Sequence, residues 1–351
     1  MSTIGAKEAV DLLKKMIAIP SHSREEKAVV DMIESWMKSY GFEPHREGNN
    51  IILTSGSNPN KPTILLNSHI DTVKPAAGYT FDPYTPIQDG DKLYGLGSND
   101  AGASVVSLLA TYSQLLEREQ PFNLIYACTA EEEVSGKMGI ESILPMLGNI
   151  DLAIVGEPTQ MQMAVAEKGL MVLDCTAHGK SGHAARNEGI NAIYEAMADI
   201  EWFRTYTFPR VSEYLGAVKT SVTMIESGTQ HNVVPDTCKF VVDVRVNEKY
   251  SNSELLALIK EQVKCDVKER STRLNSSAID SQHPIVQRGL SLGLTCFGSP
   301  TMSDQALIPF TSIKIGPGDS VRSHTANEFI CLSEIEHGID TYISLIDNLA
   351  L

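Results

Sequence analysis

Five short stretches of the chain carry side chains able to hold a cation or move a proton. The first is Asn67-Ser68-His69-Ile70-Asp71-Thr72. In extended backbone the side-chain period is two, so His69 and Asp71 point the same way. A histidine that ligates a metal commonly donates its other ring N–H to a carboxylate, and His-x-Asp supplies both parts. The second stretch is Gly95-Leu96-Gly97-Ser98-Asn99-Asp100-Ala101-Gly102. Its glycines suggest a tight turn around Asp100, although a plain N-cap aspartate is the simpler reading. The third is Glu131-Glu132-Glu133. Three adjacent carboxylates repel unless they are solvated or share a cation. The fourth is Glu157 in Gly-Glu-Pro-Thr, and the fifth is His324, after the Gly316-Pro317-Gly318 loop. Taken singly, His324 reads as a surface histidine. As a set, two histidines and several carboxylates suit Zn²⁺ or a related divalent ion. More than four such groups points to two ions about 3.5–4 Å apart with one bridging carboxylate.

Such a set works only if the fold converges these stretches. The apolar runs Asn50–Thr54, Pro62–Asn67, Leu124–Thr129 and Leu152–Val155 read as buried strands. The N-terminal stretch reads as an amphipathic helix. A Ser23/Glu26 capping box predicts a second helix through Ser39, and Ala101–Glu117 a third. His69, the glutamate triplet and Glu157 then fall at or just beyond strand ends, where open α/β sheets bind their ligands. Strands alternating with long helices predict an α/β layer architecture with a largely buried sheet. The middle of the chain differs. Strands over Lys168–His178, Val218–Ile225 and Lys239–Val246 combine with a helix carrying Ile190, Ile193, Met197 and Ile200 at helical spacing and another over Leu255–Val263. That is an α+β pattern, so a discontinuous domain with an insert is expected. A Ser333/Glu336 capping box predicts the last helix.

The chain has 351 residues, enough for two domains, and a net charge of −15 from 29 basic and 44 acidic residues. That balance argues against a general nucleic-acid or membrane-surface binder. No apolar run approaches the ~20 residues a membrane helix needs. The N-terminus does not read as a secretory signal. Six scattered cysteines without a Cys-x-x-Cys pair suggest reduced, mostly buried thiols and a cytoplasmic setting.

The order and spacing of the five motifs resemble the dinuclear zinc family of aminoacylases and carboxypeptidases that includes acetylornithine deacetylase and succinyl-diaminopimelate desuccinylase. The run GLGSNDAGASVVSLLA is most similar to the acetylornithine deacetylase-like branch acting on acylated ornithine or citrulline. The resemblance covers essentially the whole chain. It implies a zinc-peptidase-like α/β catalytic domain with a mostly parallel central sheet, formed by residues 1–165 and 279–351. An α+β sandwich domain, residues 166–278, would interrupt it, dimerise and act as a lid. It implies two Zn²⁺, with Co²⁺ or Mn²⁺ as substitutes. His69 and Glu157 would bind the first ion, Glu133 and His324 the second, and Asp100 would bridge them. Asp71 would orient His69, and Glu132 would be the general base. In many members Met or Lys and paired glycines follow the bridging aspartate, where this chain has Ala101-Gly102-Ala103. His183, in Gly179-Lys180-Ser181-Gly182-His183-Ala184, would reach the active site of the partner subunit. Asn232 and Arg245 match substrate-contacting positions. For these two a turn residue and a strand-surface ion pair are the plain alternatives.

The reaction so implied is hydrolysis of an N-acyl group from an amino acid in arginine biosynthesis. The substrate is a small molecule, acetyl or succinyl. Lys180, Arg186, Arg245 and Arg322 are the cations available for a succinyl carboxylate. A succinyl-diaminopimelate desuccinylase or a di- or tripeptidase would share the same motifs. A structural metal site would need no general base such as Glu132, and a phosphoesterase would act on phosphate esters instead.

Overall fold

The computed structural model describes residues 2–56, 58–186 and 188–351. The chain divides into two compact units. One comprises Met1–Val165, Ala278–Phe297 and Ser303–Leu351, the other Ala166–Ser277 with Gly298–Met302.

In the first unit the helices α1 (Ala6–Ile17), α2 (Lys27–Ser39) and α3 (Ala103–Leu115) accompany strands β1 (Asn50–Thr54), β2 (Thr63–His69), β3 (Asn123–Thr129) and β4 (Leu152–Val155). These strands are the core of a nine-stranded sheet. β2 runs parallel to β3 and to β4, and the later strand Ser312–Lys314 runs parallel to β4, while β1 pairs antiparallel with β3. The sheet is thus a mostly parallel one within a mixed α/β fold. The strands are continuous apolar runs because both faces are covered. Ile64 and Leu66 face one cluster together with α1, α2 and α3, whereas Leu65, Ala127 and Val155 face another with Ile140, Ile143 and Leu147. α3 is buried nearly all round, which is why its sequence lacks a polar face.

The second unit has its own core. Strands β5 (Gly169–His178), β6 (Lys219–Ser227), β7 (Thr237–Val246) and β8 (Asp266–Glu269) pair antiparallel in the order β6-β7-β5-β8. Met171, Leu173 and Cys175 of β5 face the same cluster as Phe240, Val242 and Val244 of β7. α4 (Ala192–Thr205) and α5 (Asn252–Gln262) supply Ala196, Phe203, Leu255 and Ile259 to it. Side-chain alternation along both strands gives a sheet covered on one face.

Several local expectations are corrected. Ser23 does not cap α2; its hydroxyl donates to Asp71 Oδ2 at 2.7 Å. Glu26 is buried and accepts the main-chain N–H groups of Arg24 and Glu131 and the Asn49 amide. The last helix begins at Leu332, where the Cys331 N–H donates to Glu334, while Ser333 bonds to Asp91. α3 starts at Ala103, because residues 98–102 form a separate tight turn in which Asp100 leaves helical geometry. α4 starts after Asn191, whose side chain caps it. Ile190 precedes the helix, and both it and Met197 face solvent.

Candidate metal centre

Parallel strands put their carboxyl ends on one side of the sheet, and the chemistry-bearing residues collect there. His69 is the last residue of β2 and stands in register with Thr129, the last residue of β3; Glu157 follows β4 by two residues. His69 is 2% exposed. Its Nδ1–H donates to the main-chain carbonyl of Asp71 at 3.0 Å, leaving Nε2 to face a cluster of carboxylates. Nε2 lies 3.2 Å from Asp100 Oδ1, 3.7 Å from Glu157 Oε1 and 3.9 Å from Glu132 Oε2. On the other side, His324 Nε2 lies 3.0 Å from Glu133 Oε2 and 3.6 Å from Asp100 Oδ2. Asp100 thus presents one oxygen to each histidine. The six side chains that sequence reasoning chose as ligands or base are brought together.

The turn holding Glu132 and Glu133 is shaped by its neighbours. Glu131 adopts a left-handed backbone (φ 57), which turns its side chain away, and its Oε2 accepts the N–H of Met138. Glu132 and Glu133 then donate their main-chain N–H groups to the two oxygens of Asp71 at 3.0 and 3.2 Å. Asp71, wholly buried, so orients His69 through its carbonyl and the glutamate turn through its side chain.

The electrostatics are those of crowded acids around two imidazoles. Burial opposes charge on His69, but Glu132, Asp100 and Asp71 overcome this and hold its pKa well above the ordinary histidine range. The hydrogen bond to Glu133 raises His324 to about 9. Burial pushes Glu132 well above the usual carboxylate range, with Glu157, Asp304 and Glu133 adding repulsion and His69 opposing it. Oxygen and nitrogen donors of this kind, mutually repelling and close packed, fit divalent cations. The donor atoms of His69, Glu132 and Glu157 all lie within 4.8 Å of one another, as do those of His69, Asp100 and Glu133.

Sequence reasoning missed three residues here. Asp304 is buried and raised to about 6 by that burial, against a 2.7 Å hydrogen bond from Thr129. Glu328 is likewise raised by burial, to about 7, while accepting three main-chain N–H groups. Asn99 ties its turn to Asp319 and Ser323. The Asn-Glu pair at 327–328, placed directly before an apolar strand, was the available signal for Glu328.

In the second unit, His183 and Asn232 are neighbours: the Ala184 N–H donates to the Asn232 carbonyl at 3.0 Å. The Arg186 N–H donates to the His183 carbonyl, and the Arg186 side chain is exposed, 3.9 Å from Glu188. Arg245 sits at the far end of β7, where its guanidinium pairs with Asp243 at 2.9 Å. Arg322, in the first unit, is engaged by Glu334 at 2.7 Å and stacks over Phe329.

Fold and cluster together define a metal-dependent hydrolase built on an α/β sheet. The family profile Peptidase_M20, described as peptidase family M20/M25/M40, matches residues 65–348, and the chain belongs to this family, whose members cleave amide bonds. The chain is 29% identical to the [LysW]-lysine/[LysW]-ornithine hydrolase of Sulfurisphaera tokodaii, over 97% of this chain and 95% of that protein. It is 26% identical to the acetylornithine deacetylase of Proteus mirabilis, over 97% of each. The crystal structure of the aminopeptidase PepT from Bacillus cereus superposes with a TM-score of 0.78 at 18% identity, covering 98% of each chain. Among the described residues no helix is long and apolar enough to cross a membrane.

Proposed function

We propose that this chain is a two-metal amidohydrolase that removes an acetyl or succinyl group from the α-amine of ornithine or citrulline, as a step of arginine biosynthesis. The observation carrying the reading is the position of Asp100, its two oxygens directed at different histidines, with Glu132 in the same cluster. His69, Asp100 and Glu157 would hold one divalent ion, and Asp100, Glu133 and His324 a second. Two Zn²⁺ bound there supply Lewis-acid polarisation of the amide carbonyl and acidify water. Glu132 takes a proton from the attacking water and returns it to the departing amine nitrogen. Asp71 keeps His69 and the glutamate turn in register for this. His183, donated by a second copy of the chain, hydrogen-bonds the developing oxyanion, a contact worth about 3–4 kcal/mol.

Two relatives that span nearly the whole chain carry ornithine in their names, one of them together with lysine, which supports that backbone. Arg245 and Arg322 are engaged with Asp243 and Glu334. Substrate contact is assigned to Asn232, Arg186 and Arg245, with Lys180 in the same loop as Arg186; of the two arginines Arg186 has the more exposed side chain. The outer face of α4 exposes Tyr194 and Met197, and the edge strand β6 exposes Met224 and Ile225. These apolar groups support a homodimer through the second unit.

The test is a substrate panel on metal-stripped protein with and without Zn²⁺, using N-acetylornithine, N-acetylcitrulline, N-succinylornithine, succinyl-diaminopimelate and a dipeptide. Zn²⁺-dependent release of ornithine or citrulline is expected. Preference for succinyl-diaminopimelate, or for the dipeptide with its free α-amine, overturns the substrate assignment.

A further inference from the structure

Glu328 follows His324 by four residues and is 1% exposed, yet the contacts of its carboxylate are with main chain. Three N–H groups of the turn that carries Asp100 converge on it. Gly97 N–H donates to Oε2 at 3.0 Å, and the N–H groups of Asn99 and Asp100 donate to Oε1 at 2.8 and 2.9 Å. The Glu328 carbonyl accepts a fourth, from Gly95, at 3.0 Å. Asp100 (φ −117, ψ 100) and Ala101 leave helical geometry, and within the turn the Ser98 N–H donates to the Gly95 carbonyl and the Gly102 N–H to the Gly97 carbonyl. The Asn99 side chain adds a second tie, donating to the Asp319 carbonyl at 3.1 Å and accepting the Asp319 N–H at 3.0 Å. The Asp100 turn is therefore fastened to residues on both sides of His324.

We propose that Glu328 is a positioning residue that fixes the Asp100 carboxylate between the two histidines and so sets the spacing of the two cation positions. The inference rests on the two-metal reading above. Asp100 has to reach His69 and His324 at once, and its oxygens stand 3.2 and 3.6 Å from them. A displacement of the turn by about 1 Å would sacrifice one side of that reach, and misplacement on this scale is costly at catalytic sites. A buried negative charge beside Asp100 is unfavourable by Coulomb repulsion, and three charge-assisted N–H bonds are the interaction that retains it. Glutamine at this position keeps one acceptor oxygen but turns an NH₂ group toward the Gly97 N–H, so the turn loses its template while side-chain volume is conserved.

The experiment titrates Zn²⁺ calorimetrically into metal-stripped wild type, E328Q and E328D, and measures kcat and KM on the preferred acyl amino acid. Wild type is expected to take up two equivalents. In E328Q the second equivalent weakens by about 10–100-fold, the range typical for groups that orient a ligand. kcat falls by a similar factor and KM stays within about twofold, the pattern of a lost transition-state interaction. E328D, which keeps the charge, recovers part of both and carries the same readout if E328Q does not fold. Two equivalents at wild-type affinity with unchanged kcat in the variants overturns the positioning role alone. A wild type that binds fewer than two ions overturns the two-metal reading and this proposal with it.

Discussion

The side chain of Asp71 accepts the main-chain N–H of Glu132 at 3.0 Å. Its second oxygen takes the Glu133 N–H and the Ser23 hydroxyl, and its carbonyl takes the His69 ring N–H. One buried residue thus couples a histidine at the end of β2 to a glutamate turn beyond β3.

Asp71→Asn should weaken divalent-ion binding and lower kcat, each by about 10–100-fold, because the amide NH₂ faces N–H donors. Ser23→Ala removes a single hydrogen bond and should cost activity only a few-fold. Calorimetric titration with steady-state kinetics on both variants checks the ranking. An Asp71→Asn protein with wild-type affinity and turnover would show that the carbonyl alone orients the cluster.

Glu132→Gln should retain ion binding and lose about 10²–10⁴-fold in kcat, the range for a removed general acid–base. The measurement is turnover by the fully loaded variant, with ion content checked on the same sample. Near-normal turnover would sink the assignment of Glu132 as base. A variant that loses an ion would make Glu132 a ligand instead.

Gly318→Ala tests the loop that packs against Asn99 ahead of His324. Gly318 is left-handed (φ +90), and a Cβ there would stand 2.4 Å from Asn99 Oδ1. The strained backbone alone costs about 1–3 kcal/mol. Denaturant unfolding should show a loss of at least that size. Unchanged stability would mean that the Asn99 tie is dispensable.

His183→Ala should be inactive by itself, and so should Asp100→Ala. Mixing the two should restore part of the activity if His183 serves the partner subunit, because each mixed dimer then holds one intact site. Sedimentation of the mixture reports whether dimers form. Absence of any recovery in a confirmed mixed dimer contradicts the cross-subunit role.

The sheet and the convergence of the acidic and histidine stretches were legible because the strands are short continuous apolar runs, and acids or histidines at their carboxyl ends have few structural uses. What was hidden depends on tertiary partners. Ser23 and Glu26 have the spacing of a capping box, but each finds a better acceptor or donor elsewhere, Asp71 for one and the Arg24 and Glu131 N–H groups for the other. Glu131 is chemically identical to its two neighbours, and only its left-handed backbone separates it from them. Glu328 serves a turn more than two hundred residues earlier in the sequence, a relation no local pattern carries. Of the apolar residues at helical spacing around α4, Ile193 and Ile200 pack against the core beside the buried Ala192, Ala196 and Phe203, whereas Ile190 and Met197 face solvent.

The most direct test of the two-metal centre is the ion content of chelator-stripped protein as Zn²⁺ is returned, followed alongside its hydrolysis of N-acetylornithine and N-succinylornithine. The account predicts no turnover without ions, two bound per chain at saturation, and amide hydrolysis that appears with them. Saturation at a single ion, or hydrolysis that persists in fully stripped protein, would contradict it.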